Sequence, residues 1–171
     1  MGEQITDSPV EAAVRRWWYI QRAPASIYGT LIGASVLAVS DDDDPVTEIA
    51  VAVILTILIY WAAERWSAVL GAYLQNPHPI TPREALRIFA EGYPMVQASY
   101  VPLFVMVVVR VLGGSIAWAV NAALMVSIAV LIGLGALAGR RAGLRGWWLV
   151  LSAAFTGALG FAVVALKAVL H

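Results

Sequence analysis

Two adjacent charged residues, Glu64 and Arg65, interrupt a long apolar stretch of the sequence. Ionisable side chains are costly to place in hydrocarbon, and by default they mark a functional site. The Glu64 carboxylate could bind a cation or accept a proton. Alternatively, Glu64 forms one bond to a neighbouring helix while Arg65 extends its guanidinium toward the cytoplasmic surface. Because adjacent helical positions point about 100° apart, we do not expect both side chains to face the same neighbour.

Three polar residues are predicted to lie at a depth similar to that of Glu64. Tyr60 is one turn away on the same helix, while Gln97 and Tyr100 occur in the next long apolar stretch. Together with Glu64 they form a predicted ion or proton pathway. The same residues could instead join helices by ordinary hydrogen bonds, each worth about 0.6 kcal/mol in membranes.

A second set of polar residues is predicted near the outer membrane face. It consists of Glu48, Arg110, Lys167 and Asn121. Charges of both signs at one depth could form a network that gates the protein or binds a ligand. Such networks are more often structural, because members near the interface are partly solvated.

The N-terminal residues 8–23 combine arginine with tryptophan. This pattern predicts an amphipathic helix on the cytoplasmic membrane surface, which Pro24 would end. We expect this helix to bind anionic lipid or a partner protein through Arg15, Arg16, Trp17, Trp18 and Arg22.

Several kinds of chemistry have no support in the sequence. The chain has no cysteine, which excludes disulfides and thiolate metal sites. Its two histidines, His78 and His171, are predicted on opposite sides of the membrane, and the four acids at 41–44 lack the glycine or asparagine of a ligating loop. No phosphate-binding loop, zinc-protease helix or serine-hydrolase motif occurs. We therefore expect a protein that is not an enzyme, has no cofactor and does not bind nucleic acid.

Long apolar runs indicate that a bilayer surrounds this chain. Apolar residues make up 61% of the sequence and charged residues 13%, against about 25% charged in soluble domains. We predict one membrane domain over residues 1–171, an all-α bundle of five transmembrane helices. The first predicted span is short, so we expect either that it extends beyond its apolar run or that the bilayer is thinner there. The five runs are 25–40, 46–75, 94–113, 115–138 and 147–170.

A short helix is predicted over residues 81–91, between the second and third spans. Thr81 suits the helix cap, Pro82 suits the first helical position, and Glu84 can bond back to the cap. Its position between two spans places this helix at the membrane surface.

The distribution of arginine predicts the orientation. Arginines concentrate in the N-terminal segment, in the 76–93 connection and in the 139–146 connection, whereas the aspartates of 41–44 occupy a different loop. Under the positive-inside rule, the arginine-bearing segments face the cytoplasm. We therefore expect a cytoplasmic N-terminus and an external C-terminus.

Small residues recur at four-residue spacing in two spans. Ala25, Gly29 and Gly33 form one such row, which we expect to join two copies of the chain in a homodimer. A second row runs from the fourth span into the following turn through Gly135, Gly139 and Gly143.

Nearly the whole chain resembles a widespread group of small actinobacterial integral membrane proteins without an assigned activity. The resemblance implies a bacterial inner membrane. It rests on Ile59-Tyr60-Trp61-Ala62-Ala63-Glu64-Arg65, Tyr93-Pro94-Met95-Val96 and Gly139-Arg140-Arg141-Ala142-Gly143-Leu144.

More distantly, the predicted topology resembles the vacuolar iron transporter family, whose members have five spans and a cytoplasmic amphipathic N-terminal helix. That family usually carries an Asp-Gly pair early in its first span, where this chain has Tyr28-Gly29. Glu64 resembles the family's acidic position late in the second span. Glu84 and Glu91 correspond to two of the glutamates in its cytoplasmic metal-binding region.

Two hypotheses of function follow from the sequence. The first is a transporter or channel for a cation or proton, with Glu64 as the binding group. The second is a structural or regulatory subunit without enzymatic activity, which binds anionic lipid or a partner protein through its basic face.

Overall fold

The computed structural model describes the backbone of residues 9–41, 44–75 and 81–170, and the side chains of residues 24–41, 44–75 and 81–169. Over these residues the chain forms helices and no strands, which confirms the predicted all-α class. The helices are α1 (Pro9–Val39), α2 (Val46–Gln75), α3 (Pro82–Glu91), α4 (Tyr93–Gln97), α5 (Tyr100–Val111), α6 (Ile116–Arg141) and α7 (Trp147–Leu170).

The chain is a multi-pass membrane protein. Four described stretches are long and apolar enough to cross a bilayer, and a shorter apolar stretch, Pro24–Val39, belongs to α1. Large apolar side chains cover the outside of the bundle, where lipid replaces water as the solvent. The four long stretches are Val46–Gln75, Pro82–Val111, Ile116–Arg141 and Trp147–Val169.

The first helix differs from its prediction in one respect and agrees in another. We expected Pro24 to separate an interfacial helix from the first span, but α1 continues through Pro24 as one helix of 31 residues. Proline removes one backbone hydrogen bond, and the bonds on either side carry the helix past it. The helix itself extends beyond the apolar run at its N-terminal end, whereas the extension of the membrane span stays a prediction.

The segment between α2 and α6 is divided where the sequence predicted one span over 94–113. Its first part, α3, begins with the predicted cap: the Thr81 backbone N–H donates to Glu84 Oε2 at 2.8 Å. A later break separates α4 from α5 at Ala98 and Ser99. Pro102 accounts for this break, because it has no N–H to donate to the Ala98 carbonyl.

The core joins α1, α2, α5 and α6, and α6 also packs against α7. Its largest fully buried side chains include Leu37 of α1, Ile57 of α2, Met106 of α5 and Leu124 of α6. This core fixes the relative positions of the charged residues at the two ends of the bundle.

Glycines let helices approach closely within one chain. A Cβ added to Gly29 would overlap the backbone carbonyl of Met95, so α1 and α4 are in direct backbone contact there. Gly33 is also covered, by Ile57 and Val53 of α2. Gly29 and Gly33 of this row therefore pack inside the bundle of one chain, and homodimerisation stays a prediction.

The second row of small residues forms the contact between α6 and α7. Gly135 and Gly139 lie against Ser152, whose hydroxyl donates to the Gly135 carbonyl at 3.0 Å. Gly157 and Gly160 of α7 lie in turn against α6 side chains. Both helices thus contribute small residues to one tight interface.

Short connections alternate the direction of the long helices, so α3 and the α6–α7 turn lie at the same end of the bundle. We call this the basic end, because Arg83, Arg87, Arg140, Arg141 and Arg145 lie there. The α1–α2 connection, with Asp41 and Asp44, lies at the opposite end.

Candidate functional site

Arg65 faces the bundle and Glu64 lies on its outside. The Arg65 side chain is 10% exposed, whereas the Glu64 side chain is 48% exposed. We had considered an Arg65 that extends toward the surface and a Glu64 that bonds a neighbouring helix. In the structure Arg65, and not Glu64, bonds a neighbouring helix, so the predicted interhelical bond of Glu64 was wrong.

The Arg65 guanidinium connects α2 with α3. Its Nε lies 3.2 Å from Glu64 Oε2, and its Nη2 forms an ion pair with Glu64 Oε1. Its Nη1 donates to the Ile88 carbonyl at 3.3 Å. The two adjacent side chains therefore do interact, because the long arginine side chain turns back toward the carboxylate. Glu64 is therefore already paired with a positive charge.

Aromatic residues and Gly92 surround the buried part of Arg65. The rings of Trp61 and Phe89 meet edge to face, with centroids 5.8 Å apart. The Trp61 Nε1 atom is buried and has no hydrogen-bond partner among the residues that the structure describes. Together these residues form a compact junction of α2, α3 and α4.

The remaining members of the predicted ion or proton pathway are not joined to Glu64. Tyr60, Gln97 and Tyr100 are exposed on the outside of the bundle. The Tyr100 hydroxyl lies 3.3 Å from the Tyr93 hydroxyl. Across the described side chains, no hydrogen bond or ion pair connects Glu64 with any of these three.

The predicted outer charge network is not assembled either. Arg110 Nη1 donates to the Gly114 carbonyl at 3.3 Å, within its own turn. Glu48 and Asn121 are exposed, and Lys167 is half-buried on α7. Within the described part of the chain, no ion pair joins Glu48 to Arg110 or Lys167.

The predicted lipid-binding surface is on the N-terminal part of α1. Arg15, Arg16, Trp17, Trp18 and Arg22 lie outside the residues whose side chains the structure describes. Their backbone belongs to α1.

The structure also has a groove at the basic end, whose lining residues were not among the predicted site residues. It has a volume of ≈ 520 Å³ and lies at the α6–α7 turn. A signal for it was present in the sequence, because Gly143 and Gly146 flank Leu144 and Arg145 and predict a tight turn. The groove is lined by Arg140, Gly143, Leu144, Arg145, Gly146 and Leu149.

No family model, curated protein or solved structure matches this chain. The fold defines the class of the protein as a multi-pass α-helical membrane protein. Its function must be argued from the arrangement of its own residues.

Proposed function

We propose that this protein is a non-enzymatic membrane subunit that binds anionic lipid through its basic end. The observation that supports this most is the placement of exposed arginines from separate helices at one end of the bundle. Arg83 and Arg87 lie on α3, while Arg140 and Arg145 line the groove of the α6–α7 turn.

Membrane electrostatics supply the physical reason. An arginine near an anionic membrane surface is attracted by about 1 kcal/mol. Under the positive-inside rule, we expect the basic end to face the cytoplasmic leaflet, and we infer a bacterial membrane with anionic headgroups there. Exposed Trp147 and Trp148 at the start of α7 suit the headgroup region.

The test compares two spin-labelled lipids around the full chain in bilayers. We expect phosphatidylglycerol to be immobilised at the protein surface in preference to phosphatidylcholine. This preference should fall in about 1 M salt, which shortens the Debye length to about 3 Å. Equal immobilisation of both lipids at low salt would contradict the proposal.

A second candidate is cation or proton transport through Glu64. The observation in its favour is a half-exposed carboxylate inside α2, a helix long and apolar enough to span the membrane. The pairing of this carboxylate with Arg65 reduces its attraction for a cation, and for this reason we rank transport second.

Ion flux in proteoliposomes tests the transport hypothesis. Wild type and Glu64→Gln are compared for protons, sodium, potassium and divalent metals, with Glu48→Gln as the control for loss of one carboxylate elsewhere on α2. Flux that disappears only in Glu64→Gln would establish transport. Background flux in all three proteins would exclude it.

A further inference from the structure

We propose that the groove at the α6–α7 turn binds the phosphodiester headgroup of one anionic phospholipid between Arg140 and Arg145. This inference rests on the proposed function and names the site at which one lipid is held specifically. The other arginines of the basic end then contribute only general attraction.

The backbone of the turn brings the two arginines to one groove. After α6 ends, Gly143 adopts φ +81°, and the Leu144 N–H bonds back to the Gly139 carbonyl at 2.9 Å. This is a Schellman ending, which reverses the chain within a few residues. Gly146 also has a positive φ, +57°, directly before α7. Arg140 before the turn and Arg145 within it therefore line the same groove.

The chemistry of the groove suits a phosphodiester. An arginine guanidinium presents parallel N–H donors that match two phosphate oxygens, and two arginines can neutralise the negative charge from both sides. The positive end of the α7 dipole also lies next to the groove, because α7 begins at Trp147 and both Gly146 and Leu149 line the groove.

The surroundings of the groove favour a lipid over a free anion. Leu144 and Leu149 contribute apolar lining, which a glycerol backbone or the start of an acyl chain can contact. Trp147 and Trp148 are 72% and 65% exposed, as expected for residues that anchor at the membrane interface. A phosphate held here is therefore at the height of the headgroups.

Arg140 and Arg145 also differ from the arginines of α3. Arg87 forms an ion pair with Glu91 at 3.3 Å. Neither Arg140 nor Arg145 has an ion-pair partner among the described residues. The positive charge of the groove is thus available to a ligand.

The experiment is native mass spectrometry of the full-length protein in detergent, titrated with dioleoyl phosphatidylglycerol or dioleoyl phosphatidylcholine. We expect wild type to retain one phosphatidylglycerol more tightly than any further lipid. Arg140→Gln combined with Arg145→Gln should weaken this first binding by about tenfold or more, since four charge-assisted hydrogen bonds are lost. Phosphatidylcholine, whose headgroup has no net charge, should bind equally weakly to both proteins.

The matched control is Arg83→Gln combined with Arg87→Gln, which removes the same charge from the same end. It should weaken the first binding constant much less than the Arg140 and Arg145 variant does, because Arg83 and Arg87 contribute only general attraction. Equal weakening by both double variants would overturn the specific site while leaving general lipid attraction in place. Absence of any preference for phosphatidylglycerol in wild type would overturn both proposals.

A lysine variant and a competition with inorganic phosphate test the geometry and the ligand of the site. The double substitution of Arg140 and Arg145 by lysine retains charge but loses the planar fork, so intermediate affinity is expected. Wild-type affinity in this variant would show that charge alone holds the lipid, and would overturn the paired hydrogen bonds proposed for the two guanidinium groups. A thermal midpoint equal to that of wild type shows that the variant is folded. Displacement of the lipid by millimolar inorganic phosphate would assign the groove to a free anion instead.

Discussion

Gly92 packs directly on the buried side chain of Arg65. A Cβ added to Gly92 would lie 2.5 Å from Arg65 Cδ and 2.6 Å from Arg65 Nε. The hydrogen-bonded guanidinium of α2 is therefore covered by the residue that separates α3 from α4. This contact determines how closely the α3–α4 connection approaches α2.

Substitution of Gly92 by alanine should destabilise the bundle. The added methyl group forces Arg65 and Trp61 to move, although Arg65 is held by Glu64 and the Ile88 carbonyl. Overpacking of this kind costs about 1–3 kcal/mol. The free energy of unfolding in a detergent titration is the measurement. Gly71→Ala is the control, because a Cβ there has no neighbour within 4 Å and alanine favours the helix.

Loss of Arg65 should be more damaging than loss of Glu64. Arg65→Gln shortens a buried side chain that bonds both Glu64 and the Ile88 carbonyl, and bonds to charged groups are worth about 1.5–3 kcal/mol. Glu64→Gln removes the counter-charge of the buried guanidinium but keeps a hydrogen-bond acceptor for it, so we expect a smaller loss than for Arg65→Gln. Thermal unfolding of both variants in the same bilayer discs provides the comparison. Equal losses would contradict the assignment of Arg65 as the inward-facing residue.

Gly29→Ala should lower stability without changing the oligomeric state. The new methyl group would meet the backbone of Met95, which cannot rotate away, and we expect a loss of about 1–3 kcal/mol. Gly133→Ala on α6 should have little effect, because a Cβ there has no neighbour within 4 Å. Sedimentation in detergent measures the mass of each variant. A change of mass confined to Gly29→Ala would support the homodimer interface that the sequence predicted.

Ser152→Ala should weaken the contact between α6 and α7 slightly. It removes the hydroxyl that donates to the Gly135 carbonyl on the other helix, and such bonds average about 0.6 kcal/mol in membranes. Ser35→Ala is the comparison, since the Ser35 hydroxyl bonds only to Leu31 of its own helix. The measurement is an unfolding titration, in which we expect a lower midpoint for Ser152→Ala and an unchanged midpoint for Ser35→Ala. An equal shift in both variants would show that the interhelical bond adds nothing.

The sequence was sufficient to predict the helices, but not which face of each helix points into the bundle. Apolar runs and caps predicted α2 and α7 to within a residue, and Thr81 and Glu84 form the predicted cap. Amphipathic periodicity identifies the inner face of a helix in water. It is nearly absent from α2, which is apolar all round apart from its few charges. The pattern therefore could not show that Arg65 faces inward and Glu64 outward.

To predict which residues share a site, one must also know the relative heights of separate helices and the direction in which each side chain points. Glu48, Arg110 and Lys167 were grouped by their distance from the helix ends, which says nothing about the direction of each side chain. The groove at the α6–α7 turn depends on positive φ angles at Gly143 and Gly146. The spacing of the glycines indicated a turn there. That Arg140 and Arg145 line the same groove depends on the three-dimensional path of the backbone through this turn.

The packing of α1 has a consequence for the order of assembly. α1 packs more extensively against α6 than against α2, and it also contacts α7. Synthesis proceeds from the N-terminus, so α1 enters the membrane before the helices that cover much of it have been made. Until those helices are inserted, Gly29 and Gly33 of α1 are in contact with lipid or with the insertion machinery. The packing around α1 is therefore completed only after α6 and α7 have been synthesised and inserted.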